Sequence, residues 1–466
     1  MKTNLKTIKK NILQNKYTCA LFGVSLLFYL FFFILDGTVM CNDSPNYIDM
    51  NFSREPFYPL YLAFFRLVIP GSGDIYLQFA VLGQCILAAI AAFSIANYLV
   101  KELTLPKWFG FCILAMPMIT SLLCRFAAKR GSMYSNSILT EGITISLYLL
   151  FIRYCYEYYL HQTKKSFIVC IILSIIGIST RKQMIVIFAL FFLTIVIINI
   201  KKSFFKTVAL SLLTAVGILA FVLLFDHGYN YILRGQFTGH TNDNRFIATM
   251  VFYTAEREYG EFIEDEEARS IFYKVYDDCD AKNYLLHSAP TGWFDEVTHF
   301  SDSYDMIQLY SLTPISWEYI NEYYDDYDME YRDLQFDRIN NIIIRALLPH
   351  ELPRLSKVLF NNILAGLVTT VAQRTHLLSI YAALVFIIYI ILLSYLLFIY
   401  SKNRNDSIVR AIIAFSVITL ISILGNVTLV SAVIFCQTRY TIYNMALFYI
   451  SGMLMLYAIY KKKAGT

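Results

Sequence analysis

The stretch Tyr17–Leu35, YTCALFGVSLLFYLFFFIL, decides the fold class. No charge interrupts it, and its length matches the ~20 apolar residues an α-helix needs to cross roughly 30 Å of hydrocarbon. Similar runs recur, so spans are expected at 18–35, 75–99, 108–123, 138–152, 166–179, 183–200, 207–225, 376–400, 408–434 and 441–460. Those at 108–123, 138–152 and 166–179 are short and call for tilt or for extension by flanking polar residues. A chain of 466 residues that is 57% hydrophobic and 16% charged is more apolar than soluble domains are. The expected fold is an α-helical polytopic membrane protein of about ten transmembrane helices, with an acidic, mainly helical extracytoplasmic domain. The divisions are 1–225, an N-terminal transmembrane region with a first external loop at 36–74; 226–355, the acidic domain; and 356–466, a C-terminal transmembrane region.

Basic residues orient this scheme. Lys2, Lys6, Lys9, Lys10 and Lys16 precede the first span, which places the N-terminus in the cytoplasm by the positive-inside rule. Threading onward puts Lys101, Lys107, Lys164, Lys165, Lys201, Lys202, Lys206, Lys402, Arg404 and Lys461 to Lys463 on the same side, with a cytoplasmic C-terminus. The first span does not read as a cleavable signal peptide, because no small-residue cleavage site precedes Cys41-Asn42-Asp43.

The opposite face then carries 36–74, 124–137, 180–182, 226–375 and 435–440. Roughly two-thirds of the 34 acidic residues fall between Glu256 and Glu351. They include Glu264-Asp265-Glu266-Glu267, Asp277-Asp278-Cys279-Asp280 and Tyr323-Tyr324-Asp325-Asp326-Tyr327-Asp328. A solvated external cap is the preferred reading of these clusters over a calcium or substrate site. Trp293, Phe294, Trp317, Tyr319, Tyr323 and Tyr324 are available for a small core. Residues 330–348 read as an amphipathic helix, with Leu334, Ile339, Ile342 and Leu347 among its apolar positions. Residues 356–372 read as an interfacial helix or a further span.

Several function classes are excluded. There is no glycine-rich phosphate loop, HExxH or nucleophile elbow. Nucleic acid is not an expected partner, since the external domain is acidic and the basic residues are topological. The nine cysteines, including Cys41, Cys124, Cys279 and Cys436, match neither a zinc site nor a disulfide module. Asn51-Phe52-Ser53 reads as a chance sequon.

Polar residues remain in the outward loops and at the outer ends of spans: Asp43, Arg54, Arg125, Lys129, Arg130, Glu141, Arg181, Lys182, Asp226, Arg374 and Arg439. Basic residues are disfavoured in short outer loops, so their presence there needs a reason. Singly, each reads as a snorkelling anchor. Collectively they suit an anionic group at the membrane surface, such as a lipid phosphate or pyrophosphate. Asp43, Asp49, Glu55 and Glu141 are the candidate ligands for a divalent metal, weighed against the commoner case of unliganded external carboxylates.

Four short blocks carry a resemblance. They are Asp43-Ser44-Pro45-Asn46-Tyr47 with Arg54-Glu55-Pro56-Phe57-Tyr58-Pro59-Leu60-Tyr61-Leu62; Ser135-Asn136-Ser137-Ile138-Leu139-Thr140-Glu141-Gly142; Ser179-Thr180-Arg181-Lys182-Gln183; and Gln437-Thr438-Arg439-Tyr440. In order and topological side they resemble the multispanning GT-C glycosyltransferases, which take a sugar from a polyprenyl-phosphate carrier on the outer face of the membrane. The acidic domain lies outside the resemblance, and Lys182 stands where the family usually carries proline. The resemblance implies an enzyme of the bacterial plasma membrane that moves a sugar to a lipid or cell-envelope glycan acceptor. It implies Asp43 as catalytic base, with Arg54, Tyr58, Glu141, Arg181, Lys182, Arg439 and Tyr440 binding the substrate or its lipid phosphate. Polyprenyl phosphate is already an activated leaving group, so no nucleotide is needed.

Two other readings use the same residues. A polysaccharide polymerase or ligase would transfer a whole glycan from the same carriers. A lipid-linked glycan transporter would show internal repeats, broken helices and ionisable residues near mid-membrane, none of which the sequence displays.

Overall fold

In lipid, backbone amides must be satisfied within the protein, so uninterrupted apolar runs fold as helices. The computed structural model describes residues 2–71, 73–127, 131–199, 203–323 and 329–463. Lys129, Arg130, Lys201, Lys202, Tyr324, Asp325, Asp326, Tyr327 and Asp328 lie outside the described residues, as do the side chains of Lys2, Lys6, Lys9, Lys10 and Lys463. Among the described residues there is no strand, only an isolated bridge between Val39 and Ser137.

The helices are α1 (Lys2–Asp36), α2 (Ser44–Ile48), α3 (Phe57–Val68), α4 (Ile75–Glu102), α5 (Lys107–Ala127), α6 (Glu141–His161), α7 (Lys164–Thr180), α8 (Ile185–Asn199) and α9 (Phe204–Arg234). They continue with α10 (Asn244–Thr254), α11 (Glu266–Ala281), α12 (Trp293–Ile307), α13 (Thr313–Tyr323), α14 (Met329–Val371), α15 (His376–Lys402), α16 (Ser407–Ser431), α17 (Thr438–Thr441) and α18 (Met445–Lys463). Among the described residues, eight segments, in α1, α4, α5, α8, α9, α15, α16 and α17–α18, are long and apolar enough to cross a membrane. The chain is an α-helical membrane protein. The two other expected spans are α6 and α7; α6 is interrupted by Glu141, Arg153 and Glu157, and α7 has 17 residues.

Caps punctuate the spans. Thr163, Thr375 and Asp406 each accept a hydrogen bond from the backbone amide three residues on, opening α7, α15 and α16. Gly235, at φ +72°, closes α9 in the left-handed conformation that only glycine adopts without strain. Burial sorts the bundle. The apolar window of α18 is 67% buried and that of α9 is 11% buried, so α18 is central while α9 presents Leu213 and Ile232 outward. The ends of the bundle differ in character. At one end Glu102 pairs with His161 at 2.8 Å and Asp406 with Lys462 at 2.6 Å. The other end bears the loops around Asp43 and Glu141 and the acidic domain.

The acidic segment packs its own core from Phe252, Phe272, Tyr304, Phe336, Ile339, Ile343 and Leu347. The residues from α14 recur at helical spacing, which turns one face of its first half inward. Among the aromatics expected in that core, Tyr319 is buried while Tyr323 is exposed. The expected helices at 330–348 and 356–372 are one continuous α14, with Pro349 and Pro353 inside it. Four residues apart, the two prolines place their missing donors one turn above the other. The boundaries at 225/226 and 355/356 fall within α9 and α14. Hydropathy registers where lipid ends, whereas the helix continues on its own backbone hydrogen bonds.

Candidate functional site

The first loop and the loop before α6 are tied together by backbone. Val39 N–H donates to Asn136 O at 2.9 Å and Ile138 N–H to Val39 O at 3.0 Å. Ser44 Oγ donates to Ile138 O at 2.7 Å, which sets Asp43 beside the start of α6. Asp43 precedes α2 but makes no side-chain cap, so its carboxylate is free to face other partners.

Those partners are arginines. Arg54 Nη2 lies 3.1 Å from Asp43 Oδ1, and Arg439 Nη2 lies 3.2 Å from Oδ2. Arg439 Nε donates to Glu141 Oε1, and Arg181 Nη1 pairs with the same oxygen at 2.7 Å. Arg181 Nη1 also donates to Thr140 Oγ1 at 3.1 Å, and its guanidinium sits 5.3 Å from the Tyr440 ring centroid. Arg54 lies over Tyr47 at 4.7 Å. Asp43, Arg54, Glu141, Arg181, Arg439 and Tyr440 therefore converge in one cluster, as dispersed snorkelling anchors would not.

The two carboxylates differ in access. Glu141 is 0% exposed and clasped by two arginines, whereas the Asp43 side chain is 34% exposed. Burial works against ionisation of Asp43, but Arg54 and then Arg439 outweigh it and hold its pKa below the usual carboxylate range. Asp43 is thus an ionised, reachable acceptor, and Glu141 is an internal counter-charge.

Other expected contacts are elsewhere. Tyr58 is fully buried and its hydroxyl donates to Gln84 Oε1 at 2.8 Å, so it faces the bundle interior. It acts through Gln84, whose Nε2 donates to Ser135 O and Ser137 O, both at 3.1 Å, and fixes the loop leading to Glu141. A Cβ at Gly142 would meet the Gln84 amide at 2.7 Å, so any larger residue there would displace that amide. Lys182 directs its amine to Asp243 and its backbone N–H to Glu55 Oε1 at 2.9 Å, so it does not join the Glu141 network. Arg125 pairs with Asp36 at 2.9 Å, and Asp226 accepts from His240 at 2.7 Å. Arg374 donates to Val297 O at 3.5 Å, away from the cluster.

Gln84, Gln183 and Asn426 hold the backbone around the cluster; the sequence reading passes over Gln84 and Asn426 and includes Gln183 only as the end of a block. Gln183 Nε2 donates to Asn426 Oδ1 and Tyr440 O at 2.8 and 2.6 Å, and Asn426 Nδ2 donates to Tyr440 O at 3.0 Å. The available signal was a polar side chain inside an apolar run. A cavity of about 40 Å³ within the bundle is lined by Glu141, Tyr29, Ser121, Ser146 and Tyr443. It has room for a water or two.

Among the described residues, no three His, Cys, Asp or Glu side chains are grouped to hold a metal ion, and Asp43 and Glu141 are both engaged by arginines. Among the described residues no two cysteines are joined in a disulfide, and Cys124, Cys279 and Cys436 are buried. No protein-family model matches the chain, and neither a curated protein nor a solved structure matches it.

Proposed function

We propose that this chain is a membrane glycosyltransferase of the GT-C type. It transfers a sugar from a polyprenyl-phosphate carrier to a lipid or cell-envelope glycan acceptor on the outer face of the membrane. The observation that carries the reading is the convergence of Asp43, which is accessible and ionised, with three arginines at one end of the helix bundle. In this mechanism the acceptor hydroxyl oxygen bonds to the anomeric carbon as the carbon–oxygen bond to phosphate breaks. Polyprenyl phosphate leaves with the electron pair, and the hydroxyl proton passes to the Asp43 carboxylate. Arginines fixed before the reaction stabilise the charge that gathers on the phosphate. A low Asp43 pKa keeps the base ionised, and the attacking hydroxyl becomes acidic enough to release its proton only as the new bond forms. Placement of the charged groups at one end of the bundle favours this reading over a transporter, which would hold them near its middle.

The experiment is transfer from a polyprenyl-phosphate sugar by purified protein in proteoliposomes. Asp43→Asn keeps the shape and removes the proton acceptor, so the rate should fall by at least about 100-fold with insertion and folding unchanged. A rate equal to the parent's would remove Asp43 from the chemistry, and absence of transfer by the parent would remove the reading.

A further inference from the structure

The arginines at 181 and 439 are already occupied by carboxylates of the protein. Arg245 is not. It sits in the first turn of α10, in the acidic domain, and its buried Nε has no hydrogen-bond partner. Among the described residues its guanidinium forms no ion pair; it lies 5.0 Å from the Phe246 ring centroid.

Its surroundings are those of the cluster. Thr241 N–H donates to Phe52 O at 3.1 Å, which pins the approach to α10 against the loop carrying Arg54. Tyr304 Oη lies 3.0 Å from both Phe246 O and Val433 O, with one hydroxyl proton to share between them, which anchors the same turn beside the segment leading to Arg439. Burial lowers the Arg245 pKa and the positive charge of Arg54 lowers it further, against Tyr304, Asp43 and Asp333. Asp333 is itself 3.7 Å from Arg332. Arg54, Arg181 and Arg439 share Asp43 and Glu141, while Arg245, which Asp333 and Asp337 influence without pairing, has no ion-pair partner of its own among the described residues. A buried cation beside another cation is costly unless an anion completes the site.

We propose that Arg245 is a phosphate-binding residue of this site, closing on the phosphoryl group of a lipid-linked ligand together with Arg54 and Arg439. The acidic domain then forms one wall of the binding site. Naming a polyprenyl phosphate as the ligand rests on the proposed function; the demand for a phosphoryl anion rests on the arginines alone.

The test uses the full chain in phosphatidylcholine nanodiscs, with a polyprenyl monophosphate, the matching polyprenol and inorganic phosphate as probes. Binding and melting temperature are read for the parent, Arg245→Gln, Arg245→Lys and Arg257→Gln, the last an exposed arginine of the same domain. The parent should bind the polyprenyl phosphate at least about tenfold more tightly than the polyprenol, and Arg245→Gln should lose about that factor. Arg245→Lys should fall between, because charge remains without the planar fork. Arg257→Gln should match the parent, and polyprenol binding should change in none of them. Competition by inorganic phosphate would assign the contact to a free anion as well as a lipid headgroup, and its absence would restrict it to the headgroup. Ligand-free Arg245→Gln should melt no lower than the parent, since relief of repulsion from Arg54 offsets lost packing.

Parent-like phosphate binding by Arg245→Gln would overturn the inference. So would failure of that variant to fold, or a lower melting temperature with the ligand-induced shift intact, since each makes Arg245 structural. Equal binding of phosphate and alcohol by the parent would overturn it too. If Arg245→Gln loses binding and no sugar transfer is found, the site stands and the glycosyltransferase reading falls. If transfer depends on Asp43 while Arg245→Gln binds normally, the reverse holds.

Discussion

The arginine cluster and the interior of the acidic domain both bury carboxylates, yet they treat them oppositely. In the cluster each carboxylate faces two guanidinium groups, and Asp43 is held below its ordinary pKa. In the acidic domain Glu351 is fully buried, Thr254 donates to one of its oxygens, and the other has no partner. Burial there pushes Glu351 up to about 8, and Asp337 up to about 6. A count of acidic residues therefore does not say which carboxylates carry a paired charge. What matters is whether a cation was brought to the same place.

The largest effect should come from breaking the cluster at its centre. Glu141→Gln leaves Arg181 and Arg439 buried against one carboxylate fewer, which should cost about 3–5 kcal/mol of stability. Denaturant unfolding in mixed micelles measures it. A loss below about 1 kcal/mol would mean that solvent, and not Glu141, balances these arginines.

Glu351 tests the other side. Its folded pKa lies near 8 and its ordinary value is 4.5, so the native state binds more protons between those limits. Its stabilising contribution is complete below pH 4.5 and is lost as pH rises through 8, at up to about 1.4 kcal/mol per pH unit. Glu351→Gln should flatten the thermal stability profile across that window. An unaltered slope would show that Glu351 ionises freely, and the contrast between the regions would fail.

The geometry also ranks the two clasping arginines. Arg439 uses Nε for Glu141 and Nη2 for Asp43, a span that one ammonium cannot reproduce, whereas both polar contacts of Arg181 come from Nη1. Arg439→Lys should lower sugar transfer by about tenfold or more, and Arg181→Lys by only about threefold. The reverse order would return Arg181 to direct phosphate contact. Smallest of all, Tyr58→Phe should cost about 1 kcal/mol of stability through Gln84, with little change in lipid binding. A large loss of lipid affinity at unchanged stability would restore Tyr58 to the ligand surface.

Much of this was legible in the chain. The membrane class and the helical spans follow from hydropathy because the penalty for an unsatisfied amide in lipid is local and applies residue by residue. Asp43, Arg54, Glu141, Arg181 and Arg439 stood out because charged groups at span ends need a reason. Tertiary structure alone decided which of them meet. Arg439 and Asp43 are 396 positions apart, and nothing in either neighbourhood encodes the other. The same holds for Lys182, drawn off to Asp243, and for Tyr58, turned inward by Gln84. Arg245 carried no signal in a segment read as a solvated acidic cap; only packing buries its Nε without a hydrogen-bond partner and brings it under the influence of Arg54. Sequence determined where charge could not rest cheaply, and the fold decided which charges were brought together to offset it.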